Sequence, residues 1–284
     1  MTAKQALLFA LAIHNRLWKD LGLLIGGVVR HPHPSDGERR FGLLDLVNYA
    51  IGLFVIWFVI AILFDEAAVR WARALDPDTR GFFDAITDIA KSGPYIALSA
   101  IAMICLTDIR IRTDIPSIRQ AAQQINALVA FCFVCVAGSG LLVTLLKRLI
   151  GRARPKHMDE HGVFAFDPIA FDASFASFPS GHATTGVALA VVIAFLIPRL
   201  TFAAAALGIT LAVSRVVVGA HYPSDILFGG LFALVFCARM RSTFAQRGWL
   251  FTVGREGTYH KRQGLGESWI TIWTLLTGKI RQQK

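Results

Sequence analysis

The sequence is short of charge, and shortest of acid. Asp and Glu number 19 in 284 residues, and charged residues together make up 17%, well below the quarter usual in a soluble globular domain. A water-soluble fold is therefore the wrong starting point. The chain also has no internal repeat, no low-complexity tract and no Ser/Gly linker, so it reads as one membrane domain with flanking segments. No small-residue cleavage site follows a clean apolar stretch near the N-terminus, so no signal peptide is expected. Cysteine is scarce, and Cys105, Cys132, Cys135 and Cys237 all fall inside apolar runs. Cys132 and Cys135 have redox-motif spacing, but a thioredoxin-type site needs a strand-to-helix setting that is missing here. They read as small buried hydrophobes.

What is abundant is apolar sequence: 55% of residues are hydrophobic and the mean hydropathy is +0.54. A membrane-crossing helix needs about 20 apolar residues. Leu43 to Phe64 and Ile125 to Leu146 meet that requirement, and Ser180 to Ile197 and Leu200 to Val218 approach it. Tyr95 to Thr107 and Ile226 to Ala238 are short, and become spans only if flanking polar residues extend them. The expected fold is an all-α polytopic membrane protein of about six helices. Its domain would cover residues 43–240, between an interfacial amphipathic head at 1–42 and a basic tail at 241–284.

The net charge of +10 would suggest nucleic acid in a soluble protein, but its distribution points to a bilayer. From Arg239 onward nine Lys and Arg face only Glu256 and Glu267, and the first 42 residues carry six against three acids. The segment Asp108 to Arg119 adds Arg110, Arg112 and Arg119. The positive-inside rule puts these regions and both termini in the cytoplasm of a multi-pass plasma (inner) membrane protein. One loop dissents. Lys147 to Lys156 holds five basic residues on what this topology makes the outer face.

The other unusual polar groups gather at that same face. The third long apolar run ends in KRLIGRARP, with Lys147, Arg148, Arg152 and Arg154. The next begins PSGHA, and the one after ends SRVVVGAHYPSD. Ionisable residues bordering spans are costly and mark functional sites by default. Each has an ordinary alternative: Lys147 and Arg148 could snorkel, Arg215 could pair with a buried carboxylate, and a His beside a helix end is usually structural. Three such clusters at one face, rich in Arg and His and poor in acid, point to an anion site. Lys147, Arg154 and Arg215 offer permanent positive charge, two of them as planar forks suited to phosphate oxygens. Pro179 and Ser180 read as a helix start, where free N–H groups bind anions, and Gly181 allows close approach to the backbone. Pro223 favours a second helix start, placing Asp225 in its first turn, able to orient His221.

Lys147 with Arg154-Pro155 (K-x6-R-P), Pro179-Ser180-Gly181-His182, and Ser214-Arg215-x5-His221-x3-Asp225 together resemble the three-part pattern of the type 2 phosphatidic acid phosphatase superfamily. The motifs span residues 147–225, and the apolar layout carries the likeness from about residue 43 to 240. The resemblance implies a six-helix membrane phosphatase with its site at the outer face, related in that site to vanadium haloperoxidases. By that resemblance His221 attacks phosphorus, Asp225 orients it, and His182 protonates the leaving oxygen and then activates water. Lys147, Arg154, Arg215, Ser180 and Gly181 would hold the phosphoryl oxygens, without a cofactor or a metal. The substrate would be a membrane lipid phosphate or diphosphate: phosphatidate, phosphatidylglycerol phosphate, an isoprenyl diphosphate or lipid A phosphate.

His157-Met-Asp-Glu160-His161 also fits H-x-x-E-H, a zinc-peptidase pattern, but it lies in the loop between Arg154-Pro155 and Pro179. A solvated loop is expected there. Phe82 to Ala90 has helical apolar spacing and is expected to wall the site at the membrane surface. A non-catalytic lipid binder or transporter could use the same positive cradle, but would not need His182 together with the His221–Asp225 pair. A soluble haloperoxidase is at odds with the hydropathy.

Overall fold

The computed structural model describes residues 43–169, 171–254, 257–262 and 264–277. The head read from the sequence, 1–42, lies outside the described residues, as does the end of the tail.

The described chain is almost wholly helical. Helix α1 (Leu43–Ile60) runs through a π-helical turn at Ala61–Asp65 into α2 (Glu66–Ala74). Helix α3 (Pro77–Thr87) starts at Asp76, whose carboxylate accepts from Thr79 N–H at 2.7 Å, an N-cap with Pro at the first helical position. A single 3₁₀ turn leads from it to α4 (Ser92–Arg112). Next comes α5 (Pro116–Phe133), which passes through a second π-helical turn into α6 (Ser139–Ile150). The short α7 (Met158–His161) lies in the loop that follows. Helices α8 (Gly181–Leu196), α9 (Thr201–Val217) and α10 (Pro223–Gln246) complete the bundle.

Five helical segments among the described residues are long and apolar enough to cross a membrane: 51–74, 77–112, 116–150, 198–217 and 223–246. The sequence led us to expect about six. The difference is α8, apolar throughout but only 16 residues long, because Pro179 delays its start and Pro198 follows its end. The two short apolar runs do lengthen at both ends, into α4 and α10. Large apolar side chains such as Phe54, Leu98, Ile104 and Phe202 are 60%, 67%, 70% and 91% exposed. A soluble protein does not leave such a belt open; a membrane protein turns it to the acyl chains.

The bundle is held by close backbone contact. A Cβ added at Gly186 would lie 2.8 Å from Leu211 Cβ, and one at Gly208 2.8 Å from Ala190 Cβ. Helices α8 and α9 therefore pack at small-residue distance, the arrangement that works where no hydrophobic force separates helix from lipid. Helix α10 packs against α8 as tightly, because a Cβ at Gly229 would fall 2.5 Å from Ser180 O. Thr184 Oγ1 donates to Gly229 O at 3.1 Å across this contact. Cys135 and Cys237 sit in the core with Phe131, Ala188, Ala233 and Phe244, as small hydrophobes should; Cys132 is half-buried and Cys105 exposed.

The described residues after α10 fold onto the bundle. A hairpin of β1 (Phe251–Val253) and β2 (Tyr259–Lys261) sets Phe251 against Phe131, with ring centroids 5.1 Å apart. Helix α11 (Leu265–Leu276) buries Ile272 among Leu106, Ile118 and Ala122, and Ser268 Oγ donates to Gln124 Oε1 at 2.6 Å. The basic residues of this stretch had hidden its apolar spacing.

Candidate active site

Five helix ends meet at one end of the bundle: the π-helical turn after α1, the C-termini of α6 and α9, and the N-termini of α8 and α10. Lys147 lies in the last turn of α6, which Gly151 ends in a left-handed conformation (φ 63°). A side chain there would be strained, and its Cβ would meet Asp167 O at 1.6 Å, so only glycine fits. The turn sends Arg152 inward and leads Arg154 to the site, its N–H donating to Ser174 O at 2.9 Å.

Ser180 caps α8, as its sequence suggested: its Oγ accepts from Ala183 N–H at 3.4 Å. The next residue has no side chain, and Lys147 Nζ takes that space, 3.3 Å from where a Cβ on Gly181 would be. His182 follows on the first turn of α8 and interacts with the charges of Arg215, His221, Lys147 and Lys91. Arg215, at the end of α9, is 9% exposed. Among the described residues it meets no carboxylate directly; its Nη1 donates to Thr87 Oγ1 at 3.1 Å. Thr87 comes from α3, so the Phe82 to Ala90 segment touches Arg215 through this residue. The Nε atoms of Arg154 and Arg215 are buried without a hydrogen-bond partner. Three cations thus converge with donors unspent, which is what an anion site requires.

His221 and Asp225 are 2% and 0% exposed. Nδ1 of His221 lies 3.6 Å from Asp225 Oδ2, oriented toward it though longer than a formed hydrogen bond. Asp225 itself is fixed. Its Oδ2 accepts from Ser177 Oγ at 2.6 Å and Tyr222 N–H at 3.0 Å, and its Oδ1 from Arg152 Nη1 at 2.6 Å. Burial, reinforced by the cations Lys147 and Arg154 and opposed by Asp225, holds the His221 pKa down at about 4. The imidazole is therefore neutral at neutral pH, the state in which a ring nitrogen carries a free lone pair.

Arg152, one of the five basic residues in the dissenting loop 147–156, is positive for a different reason. Arg152 is 0% exposed, and its donors are spent on buried carboxylates. Its Nη2 pairs with Asp65 Oδ2 at 2.8 Å, and Nη2 also donates to Val163 O at 2.9 Å. The guanidinium stacks 4.2 Å from the centroid of the Tyr222 ring. Asp65 also accepts from Ser224 N–H at 3.0 Å and Ser224 Oγ at 2.6 Å. Arg148 likewise turns aside, donating to Phe171 O. Lys147 and Arg154 remain for the anion.

The sequence reading missed Asp65, Ser177, Ser224 and Thr87. Asp65 had a signal, since a carboxylate directly after an apolar run needs a partner; the three hydroxyls had none.

His157 and His161 stand with ring centroids 6.1 Å apart, and His157 Nδ1 is 3.6 Å from Glu160 Oε2. They occupy a single helical turn braced by Arg73, which pairs with Asp159 at 2.6 Å. Among the described residues no three His, Cys, Asp or Glu side chains converge as metal ligands would.

A buried imidazole oriented toward a carboxylate thus lies beside a cluster of three cations, at one end of an apolar bundle. Residues 127–249 match the PAP2 superfamily, and all three site segments fall inside that match. Among its relatives is a lipid A 1-phosphatase of Rhizobium johnstonii, 46% identical over 128 residues that cover 45% of this chain and 52% of the relative. Another is a decaprenylphosphoryl-5-phosphoribose phosphatase of Mycolicibacterium smegmatis, 39% identical over 90 residues, 30% of this chain and 43% of that protein. The chain thus spans about half the length of the relatives it matches. A transmembrane PAP2-type phosphatidylglycerolphosphate phosphatase from Bacillus subtilis superposes with a TM-score of 0.46 at 22% identity, covering 69% of this chain and 96% of that one.

Proposed function

We propose that this protein is an integral-membrane lipid phosphatase that hydrolyses a phosphomonoester or diphosphate through a phosphohistidine on His221. The observation that carries this reading is the neutral, buried imidazole of His221, oriented by Asp225 and facing Lys147, Arg154 and Arg215. A positive cradle alone would serve a lipid binder; a nucleophile fixed beside it serves catalysis.

Nε2 of His221 attacks phosphorus, the bond from phosphorus to the leaving oxygen breaks, and that oxygen keeps the electron pair. His182, on the first turn of α8, hands that oxygen a proton it takes up when the anionic phosphate enters and offsets the burial and cations that otherwise hold its pKa down at about 4. Water then attacks phosphorus while His182 takes its proton, the P–N bond breaks with its electron pair returning to Nε2, and phosphate leaves with His221 neutral again. Lys147, Arg154, Arg215, the Ser180 hydroxyl and the Gly181 N–H hold the phosphoryl oxygens and balance charge in the transition state. Asp225 keeps the imidazole in the right tautomer without moving a proton. The three side-chain cations do the work that a metal does in other phosphoryl-transfer sites.

The site faces the periplasm or cell exterior and both termini the cytoplasm, because the Arg110–Arg119 segment and Arg239, Arg241 and Arg247 at the end of α10 lie at the opposite end of the bundle. Outer-leaflet lipids and exported carriers are then the substrates within reach. The similarity to a lipid A 1-phosphatase puts lipid A phosphate first among them.

The test is phosphate release by purified protein, with and without chelator, across phosphatidate, phosphatidylglycerol phosphate, isoprenyl diphosphate and lipid A. Release from at least one lipid, unchanged by chelator, is expected. No release from any, or activity restored only by added zinc or magnesium, contradicts the reading. A cysteine placed near His157 should react with an impermeant reagent from outside, and the reverse result would move the site to the cytoplasm.

A further inference from the structure

Helix α11 (Leu265–Leu276) carries apolar side chains on two sides, and the bundle covers one of them. Ile272 is buried among Leu106, Ile118 and Ala122, and Ser268 is held by Gln124. On the other side Trp269, Ile270 and Trp273 are 59%, 63% and 58% exposed. Trp273 lies four and three residues on from the other two, so the three form one patch. The hydroxyls of Thr271, Thr274 and Thr277 each donate to a carbonyl one turn back at 2.9 Å, which spends their donors inside the helix.

The depth of this patch follows from the length of α5. The helical run 116–150 has 35 residues, about 52 Å at 1.5 Å per residue. A hydrocarbon core of about 30 Å cannot enclose it, even at the usual tilt of about 20°. Lys147 fixes its last turn at the active-site end. The excess lies at the other end, where Arg119, Gln120, Gln123, Gln124 and Asn126 make α5 polar. Helix α11 packs on that stretch, so it sits at the rim of the acyl layer, the depth where tryptophan concentrates. Cations flank the patch. Lys261 and Arg262 precede α11 and are exposed, Arg247 stacks 4.8 Å from the centroid of the Trp249 ring, and Lys279, Arg281 and Lys284 follow in the sequence. Glu267 is the one acid in α11.

We infer that α11 is an interfacial anchor, with Trp269, Ile270 and Trp273 seated in the headgroup region of a leaflet that contains anionic lipid. Area argues for lipid over a second copy of the chain. A tryptophan buries at most about 250 Å², so three partly exposed side chains fall well short of the about 800 Å² that each partner gives to a stable dimer. Water is no better a neighbour for three adjoining large apolar groups. The patch also continues the lipid-facing side of α4: Leu106 of that helix packs in the cluster with Ile272, while Leu98, Ile101 and Ile104 are exposed. Anionic headgroups complement the flanking cations. The anchor is independent of the chemistry at His221.

The test uses the full chain in nanodiscs of phosphatidylcholine with or without phosphatidylglycerol. Both faces of a nanodisc present the same lipid, so sidedness does not enter. Ile270→Cys carries an environment-sensitive dye in a Cys105→Ala background, because Cys105 is the exposed native thiol. Nitroxide-bearing lipid reports contact with the bilayer, and iodide reports contact with water. With phosphatidylglycerol present, nitroxide should quench the dye by about twofold or more and iodide hardly at all, as for a helix seated at the acyl boundary. Adding Trp269→Ala and Trp273→Ala should remove most of the nitroxide effect and leave the thermal midpoint unchanged, since both rings stand exposed. Iodide access without nitroxide quenching means that water covers this face, and protection from both means that protein covers it. Either result overturns the anchor, as does nitroxide quenching that is equal with and without phosphatidylglycerol.

Discussion

Arg152 Nη1 donates to Asp225 Oδ1 at 2.6 Å, and neither side chain is exposed at all. Through this contact a residue of the α6–α8 loop sets the angle of a carboxylate on α10, which in turn faces His221. The same guanidinium holds Asp65 at the end of α1. One cation therefore closes a path from the first helix to His221.

Removing that cation strands two buried carboxylates, and breaking a buried pair costs about 3–5 kcal/mol. Arg152→Met should lower the thermal midpoint in detergent markedly, and Asp65→Asn much less, since Ser224 and Arg152 can still bond an amide oxygen. Asp225→Asn should fold yet lose kcat by a factor on the order of 10⁴, as a mis-set tautomer does in the comparable serine-protease pair. Equal midpoints for Arg152→Met and Asp65→Asn would contradict this network.

Gly181 is predicted to act through Lys147. A methyl group placed 3.3 Å from Nζ must push the ammonium off the anion position without touching the backbone of α8. Gly181→Ala should weaken orthophosphate binding by about tenfold, roughly the 1.4 kcal/mol of one weakened charged contact. Its thermal midpoint without ligand should stay near that of the wild type. A fall in midpoint with unchanged phosphate binding would reverse the assignment.

The pH response follows from the His221 pKa of about 4 against 6.5 for a free imidazole. Between those values the unfolded chain takes up a proton at His221 that the folded protein does not. Stability must therefore fall as pH drops from 6.5 toward 4. The His221→Gln variant lacks this group, so its thermal midpoint should decline less steeply over that window. Identical slopes would mean the folded imidazole is not held neutral.

Much of this was legible in the sequence because the chemistry is crowded at helix ends. Pro179-Ser180 and Pro223 announce helix starts, Lys147 and Arg215 interrupt apolar runs, and each such break has to be explained by a partner. The structure brings those residues together at one end of the bundle as the pattern suggested. What stayed hidden depended on long-range pairing. Arg152 is one of four basic residues in KRLIGRARP, and nothing local tells which points to phosphate and which to Asp65, a residue far back in the chain. Ser177, Ser224 and Thr87 are hydroxyls like any others until folding aims them. The α11 helix was masked by the basic residues before and after it, although Trp269, Ile272 and Trp273 carry helical spacing.

The central claim, that His221 forms the covalent intermediate, is tested most directly by trapping it. Full-chain protein is mixed with a labelled lipid phosphate that it turns over, quenched within one turnover, digested and read by mass spectrometry. The account predicts a phosphate on the peptide containing His221, stable to base and labile to acid, absent from His221→Ala, with steady-state release in that variant lowered by several orders of magnitude. Near-normal turnover by His221→Ala, or a label found on another residue, would contradict it.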